Sequence, residues 1–508
     1  MIMNVGVLLA ISLVLLYFYL TKNYGYWKKR GVAWEKPSLI FGNLFEGFTG
    51  KIPVGLIHTN MYQNHPSEKV VGWFKMRQPA LLIRDPALIR QILLNDFTYF
   101  RNNDAEIDPE HDPIFGRNLF VLKDDIWKKN RALLTPAFTP GKIKGICSAM
   151  REVAKEFVKY LKKHPEELNV KSTMSRYTAE VAARCGLGVE GNNFNDSKDD
   201  MFKMGLEIFQ SGRWNILKFT VIQLLPDLAK HLGLKLVSDK VLAFFDTVLR
   251  DVIVYRQEKN EIRMDFVQFL LDIKKKSEQV ANGTLESSIL PSVYTNDDVL
   301  SGCIMFFIES FETTALSLTH ILYLLAKNKH VQEKLRQEVD GALNEGELTY
   351  EKLNQLSYLN CVVLETGRLL PVFFTLNKIC TERYEMDVGK SIPLVIEKGT
   401  PITLPVYAIQ NDPAYWEEPE SFMPERFANK EDAEAKANGI FLPFGEGPRM
   451  CPGYRIATAV MKVALVSILA ELEVFPTGKT PDKIDYDPNY FLLSNKGGIH
   501  LRFAERSF

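Results

Sequence analysis

Val5 to Leu20 is an almost unbroken apolar run, VGVLLAISLVLLYFYL. With Met1 to Met3 it approaches the roughly 20 residues that a bilayer span requires. Tyr17, Tyr19, Tyr24, Tyr26 and Trp27 suit the interfacial belt. Lys22, Lys28, Lys29 and Arg30 follow the run, so the positive-inside rule puts the remainder of the chain in the cytosol. No basic region precedes the run and no small-residue cleavage site follows it. Residues 1–21 are therefore expected to be a retained anchor rather than a cleaved signal. Residues 22–45 read as a basic, proline-containing linker, with a turn-rich stretch from Pro37 to Asn43. Val70 to Asp85 alternates apolar and polar around a Gln78-Pro79 turn and predicts a β-hairpin. Arg101 to Phe120 lacks a period and predicts a long loop with a short helix. Residues 197–240 predict two helices around an apolar link, Ile216 to Pro226, and Thr284 to Tyr294 predicts a loop.

The strongest helical signal lies in the middle of the chain. Thr295-x-x-Asp298 offers an N-cap to a helix beginning at Asn296. Val299, Leu300, Ile304, Met305, Phe306, Phe307 and Ile308 are apolar on all sides, which marks a buried helix. It can run to about Lys327, a length of about 48 Å. A second apolar helical run, Ile456 to Leu472, follows Cys451. No internal repeat divides residues 46–508. They predict one large, mainly helical body with a small sheet, an α+β fold.

Composition narrows the function classes. The 508 residues carry 62 basic and 62 acidic side chains, so no bulk electrostatic case exists for nucleic acid. The six cysteines, at positions 147, 185, 303, 361, 380 and 451, show no C-x-x-C pair. That pattern fits free thiols in a reducing compartment. The eight histidines include no H-E-x-x-H spacing.

The chemistry concentrates in Phe444-Gly445-Glu446-Gly447-Pro448-Arg449-Met450-Cys451-Pro452-Gly453. A cysteine ahead of a helix sits where free N–H groups lower a thiol pKa. Pro452 suits the first helical position. Gly445, Gly447 and Gly453 allow positive φ and a close approach to a flat partner. Phe444 is placed to shield the sulfur, and Arg449 to reach a carboxylate at the partner's edge. The flat, doubly carboxylated partner that takes a thiolate is haem. Separately, Glu309-Ser310-Phe311-Glu312-Thr313-Thr314 puts two carboxylates inside a buried helix, where unpaired charge is expensive.

These stretches resemble the cytochromes P-450. The cysteine loop matches F-x-x-G-x-R-x-C-x-G at all five fixed positions, and Trp127-x-x-x-Arg131 resembles the family's W-x-x-x-R. Glu365-x-x-Arg368 matches E-x-x-R, with Arg426 as the second arginine. Residues 263–266 and the following helix are most similar to the insect xenobiotic-type microsomal members. The resemblance implies a haem-thiolate monooxygenase with its long central helix over the haem b. Cys451 would be the axial ligand. Trp127, Arg131 and Lys378 would hold propionates, with Lys378 standing where an arginine is usual. Glu312 and Thr313 would be the acid and the hydroxyl of oxygen activation, and Glu365, Arg368 and Arg426 a buried charge network behind the cysteine loop. Phe115, Phe311, Phe373, Phe374, Thr375 and Leu493 would line the substrate pocket.

Besides Lys378, the sequence departs from the family pattern at three places. Glu309 replaces an alanine, Ser310 a glycine, and Gly367 stands where leucine is usual. A fatty-acid hydroxylase branch esterifies a glutamate at the first of these positions to haem. A Glu309–haem ester and a free, hydrogen-bonded Glu309 therefore both remain open. The implied partners are an NADPH–cytochrome reductase, cytochrome b5, the endoplasmic reticulum membrane and a lipophilic substrate of xenobiotic, hormone or fatty-acid type. The rival readings are an oxygen-independent haem-thiolate isomerase or dehydratase, and a catalytically silent haem- or lipid-binding membrane protein.

Overall fold

A computed structural model of the chain describes residues 2–195, 197–429 and 439–506. Helix α1 (Ile2–Thr21) opens the chain, with its large apolar side chains from Val5 to Tyr19 exposed. Residues 22–45 do not run free. Trp27 is wholly buried and donates its indole N–H to the Trp73 carbonyl at 3.1 Å, and Trp34 bridges Gly72. This stretch packs on the sheet because glycine at position 72 admits the Trp27 ring; a Cβ there would sit 2.3 Å from it.

Helix α2 (Val54–Asn64) leads into the hairpin expected at residues 70–85, formed by β1 (Val70–Lys75) and β2 (Gln78–Ile83); it turns at Met76 and Arg77, whereas the expected turn residues Gln78 and Pro79 pair within β2. With β3 (Asn102–Asn103), β4 (Leu376–Ile379) and β5 (Pro401–Leu404), these make a five-stranded sheet. Its order is β1-β2-β5-β4-β3, antiparallel except for the β2–β5 pair. The sheet therefore brings residue 103 beside residue 378 across 275 positions of sequence. The rest is helical: α3 (Asp124–Leu134), α4 (Val170–Val181), α5 (Arg213–Leu224), α6 (Asn296–Lys327), α7 (Ser357–Leu369) and α8 (Tyr454–Glu471) carry the argument below.

Helix α6 starts and stops where the sequence places it. Thr295 and Asp298 close a reciprocal capping box, which satisfies two free N–H groups. Twenty-one of its residues are buried, and Thr178 of α4 ties into it through the Phe311 carbonyl at 2.8 Å. Among the described residues it alone is long and apolar enough to cross a membrane, and its burial makes it a core helix. The apolar link expected at residues 216–226 is mostly helix α5. Its apolar residues lie all round rather than on one face, so the pattern hid the period.

Arg368 and Glu365, both fully buried, form a two-pronged ion pair at 2.7 and 2.8 Å, with Arg426 at 3.3 Å from the same carboxylate. Arg368 also donates to the Gln410 carbonyl at 2.9 Å. The Gln410 side chain in turn bonds the Gly367 carbonyl and the Leu442 N–H, two residues before Phe444. A charge pair in α7 thus fixes the start of the cysteine loop. Gly367 finds its reason here: a Cβ would lie 3.1 Å from that of Pro443. Gly367→Leu should destabilise the protein by about 1–3 kcal/mol through overpacking, read as a lower urea midpoint.

Candidate active site

The cysteine loop turns tightly. Cys451 N–H donates to the Phe444 carbonyl at 2.9 Å, and Met450 N–H to that of Gly447 at 3.0 Å. Gly445 and Gly447 have φ of 71° and 75°, as their roles require. A Cβ on Gly447 would lie 2.1 Å from the Leu93 carbonyl. Gly453 differs from the expectation. It is the N-cap of α8 at φ −85°, so the helix begins at Tyr454 and Pro452 precedes it. Its N–H pulls the Cys451 thiol down, as does Arg131, but burial and Glu309 outweigh both and push the thiol up to about 11. The protein alone therefore does not make the thiolate, which a bound metal ion must stabilise.

Cys451, half-buried, opens onto a cavity of about 940 Å³, near the upper end of small-molecule sites. Phe444, Gly445, Arg449 and Gly453 border it from the loop, Trp127 and Arg131 from α3, and Glu309 and Thr313 from α6. Phe115, Phe373, Phe374 and Thr375 border it as well, although the Phe374 ring packs edge-on to Tyr407 and Tyr486. Two expected wall residues are elsewhere. Phe311 is fully buried against Phe307 and Phe209, and Leu493 is fully buried in the core. Phe311 falls on the far side of α6, while the loop carrying Leu493 offers Tyr490 and Phe491 to the cavity instead.

Three of the cations that line this cavity, Arg131, Lys378 and Arg449, make no ion pair among the described residues. Arg449 stacks on Trp127 at 4.2 Å and donates to the carbonyls of Arg101, Leu119 and Leu122 and to the Asn102 side chain. Burial and Arg131 lower its pKa to about 10. Lys378, 3% exposed, has one neutral partner, the Asn103 amide oxygen at 2.9 Å. Burial, then Arg449, lower its pKa to about 7. Burial also lowers Arg131. Buried cations without anions are unfavourable, and the two carboxylates of haem would supply the missing charge. The residues present therefore fit haem.

The two acids of α6 part company. Glu309 faces the cavity, where burial raises its pKa against the opposing effects of the Asn118 amide and Arg131. Thr313, one turn on, donates to the Glu309 carbonyl at 2.6 Å. Glu312 does not border the cavity. It is fully buried, paired with Lys171 at 2.7 Å and bonded by the Tyr490 hydroxyl, with Oε2 unpartnered. Neither Lys171 nor Asn118 carried a signal in the sequence, since each acquires its partner only through tertiary packing.

Lys378 supplies a prediction with a definite sign. Its folded pKa lies below its unfolded value, so charging it costs stability that is regained as pH rises through about 7 towards 10.5. In the haem-free protein, Lys378→Met should therefore raise stability at pH 6–7, on the order of 1 kcal/mol or more. The same change should weaken haem retention. Denaturant midpoints of the haem-free form and transfer of haem to an acceptor protein measure the two effects.

The cytochrome P450 family description matches residues 33–502. The chain is 32% identical to probable cytochrome P450 28d1 of Drosophila melanogaster, over 98% of each chain. It is 32% identical to cytochrome P450 6k1 of Blattella germanica, over 98% of this chain and 96% of the relative. It is 33% identical to probable cytochrome P450 9f2 of Drosophila melanogaster, over 98% and 99%. The chain belongs to the cytochrome P450 family and is a monooxygenase that carries haem b with an axial cysteine thiolate.

Proposed function

We propose that the protein oxidises lipophilic small molecules with dioxygen and NADPH, taking electrons from a separate flavoprotein reductase. The observation that carries this reading is the convergence of Cys451, Thr313 and three unpaired cations on one largely apolar cavity. Cys451 holds the iron, while Arg131, Lys378 and Arg449 take the propionates beside Trp127. Haem bound there supplies the oxidant that places one oxygen atom in the substrate while the other leaves as water. Phe115, Phe373, Thr375 and Phe491 exclude water and favour apolar substrates. The Thr313 hydroxyl holds a proton at the cavity wall. Lys171 and Tyr490 hold Glu312 behind it by an ion pair and a hydrogen bond, so Glu312 serves the site from within the helix packing rather than from the cavity.

The protein sits on the endoplasmic reticulum membrane with its body in the cytosol. Residues 1–21 are the anchor. The exposed Trp214 and Leu217 of α5, with Leu225, Leu228 and Leu232 after it, give a second apolar contact. Lys128, Lys129 and Lys142 are exposed and suit an acidic reductase face, with cytochrome b5 as a second donor. The test is reconstitution in vesicles with a microsomal reductase. NADPH- and dioxygen-dependent appearance of products sixteen mass units heavier is expected. Products formed equally without either reagent would sink the reading in favour of an isomerase or dehydratase, and no products with any substrate would leave a silent binding protein.

Glu309 acts as a free acid that is not joined to haem, its carboxyl raised by burial against the opposing effects of Asn118 and Arg131. Acid denaturation and solvent extraction should then release all the haem unmodified. Haem that stays on the chain, or leaves carrying an added oxygen, would show the ester instead.

A further inference from the structure

One acid on the cavity wall has open surface and no opposite charge. Among the described residues of α6 from Val299 to Ala326, Glu309 alone is exposed, while Met305, Ile308, Phe311 and Glu312 around it are buried. Its surface does not reach outside solvent through a buried helix; it opens into the cavity that Glu309 lines. No ion pair holds the carboxyl among the described residues. The polar groups acting on it are the Asn118 amide and, more weakly, Arg131.

The other acids of the cavity wall are paired or sealed. Asp104 pairs with Lys75 at 2.8 Å, and Asp298 with Arg117 at 2.8 Å. Glu446, in the cysteine loop, has one carboxyl oxygen closed off within the protein. The cations of the wall are engaged elsewhere. Arg131, Lys378 and Arg449 take the propionates in the function proposed above, and Lys218 of α5 is not among the groups acting on Glu309. Glu309 is then an uncompensated acid on a largely apolar wall, where a solitary carboxylate is unfavourable. Alanine at this position would avoid that cost.

We propose that Glu309 anchors the nitrogen of a lipophilic amine, so that the substrates of this cavity are basic lipophiles. The proton balances whichever partner brings it. An ammonium ion pairs directly with the carboxylate, and a free amine takes the proton of the neutral carboxyl onto its lone pair. Both routes end with an N–H donating to a carboxylate oxygen, a charge-assisted hydrogen bond. Burial raises the Glu309 pKa in the empty cavity, and a cation arriving beside it acts in the opposite direction. A hydrocarbon leaves the acid uncompensated, and a fatty acid brings no cation. The charge of Glu309 also acts on the Cys451 thiol, so a nitrogen held there lies on the reactive side of the cavity. The anchor rests on the reading of this cavity as the substrate site and narrows its substrate class.

The experiment uses the full haem-loaded chain in detergent micelles, without reductase or NADPH. Three probes share an octyl chain: N,N-dimethyloctylamine, its uncharged isostere 2-methyldecane, and nonanoic acid. Affinity is read by calorimetry and by ligand-induced shifts in melting temperature, corrected for partition into micelles measured without protein. The amine should bind the unaltered protein at least about ten-fold more tightly than either of the others. Glu309→Gln and Glu309→Ala should each remove most of that preference, and Glu309→Asp should keep part of it. The ligand-free Gln and Ala variants should melt no lower than the unaltered protein, because each removes an uncompensated acid. Equal affinities in the unaltered protein, a preference that survives both the Gln and the Ala change, or nonanoic acid binding as tightly as the amine would each overturn the anchor. So would haem recovered as a Glu309 ester, which leaves no free carboxyl. Binding is read without electrons from a reductase, so a failed anchor leaves oxidation of neutral lipophiles intact, and a failed reconstitution leaves the amine preference measurable by itself.

Discussion

Arg131, Lys378 and Arg449 are held around one cavity without an ion pair among the described residues, and each has its pKa lowered by burial. A fold that only needed stability would pair or remove such charges, because an uncompensated buried cation is among the more expensive features a protein can keep. The arrangement becomes favourable only when two anionic groups arrive together on one rigid partner. Much of the surrounding structure serves to hold those cations in place. The β3–β4 pairing sets Asn103 against Lys378, four backbone and side-chain acceptors fix Arg449, and the Trp127 ring supports it from α3.

The opposite wall has a complementary design. Helix α6 is apolar enough to cross the core, yet it carries two acids in consecutive turns. The fold treats them differently: Glu312 is neutralised by Lys171 and Tyr490, while Glu309 is left facing the cavity with an amide partner. The same helix therefore presents one carboxyl that is paired and locked away and one that burial drives towards its neutral form. Between the two walls, the Glu365–Arg368–Arg426 cluster and Gln410 transmit the position of α7 to the first residues of the cysteine loop.

What the sequence discloses follows from how local each signal is. The ends of α6 were legible because a capping box and all-round apolarity are properties of neighbouring residues. The 70–85 hairpin was legible through its alternation, and the cysteine loop through its fixed spacing. Helix α5 reads as an apolar link in the sequence because it shows no apolar stripe. Phe311 and Leu493 were placed on the cavity wall by resemblance, but the rotation of α6 and the path of the C-terminal loop decide which side chains face inward. Gly367 is explained only by Pro443, which the fold packs against it. The Lys171–Glu312–Tyr490 cluster spans three distant segments, and nothing short of the tertiary fold brings it together.

The central claim is that Cys451 bonds the iron of a haem seated in this cavity. The most direct measurement is the absorption spectrum of the reduced protein under carbon monoxide, before and after Cys451→Ala. The unaltered protein should show the red-shifted band of a thiolate-ligated haem, and the variant should lose it. A red-shifted band that persists in the variant would contradict the account.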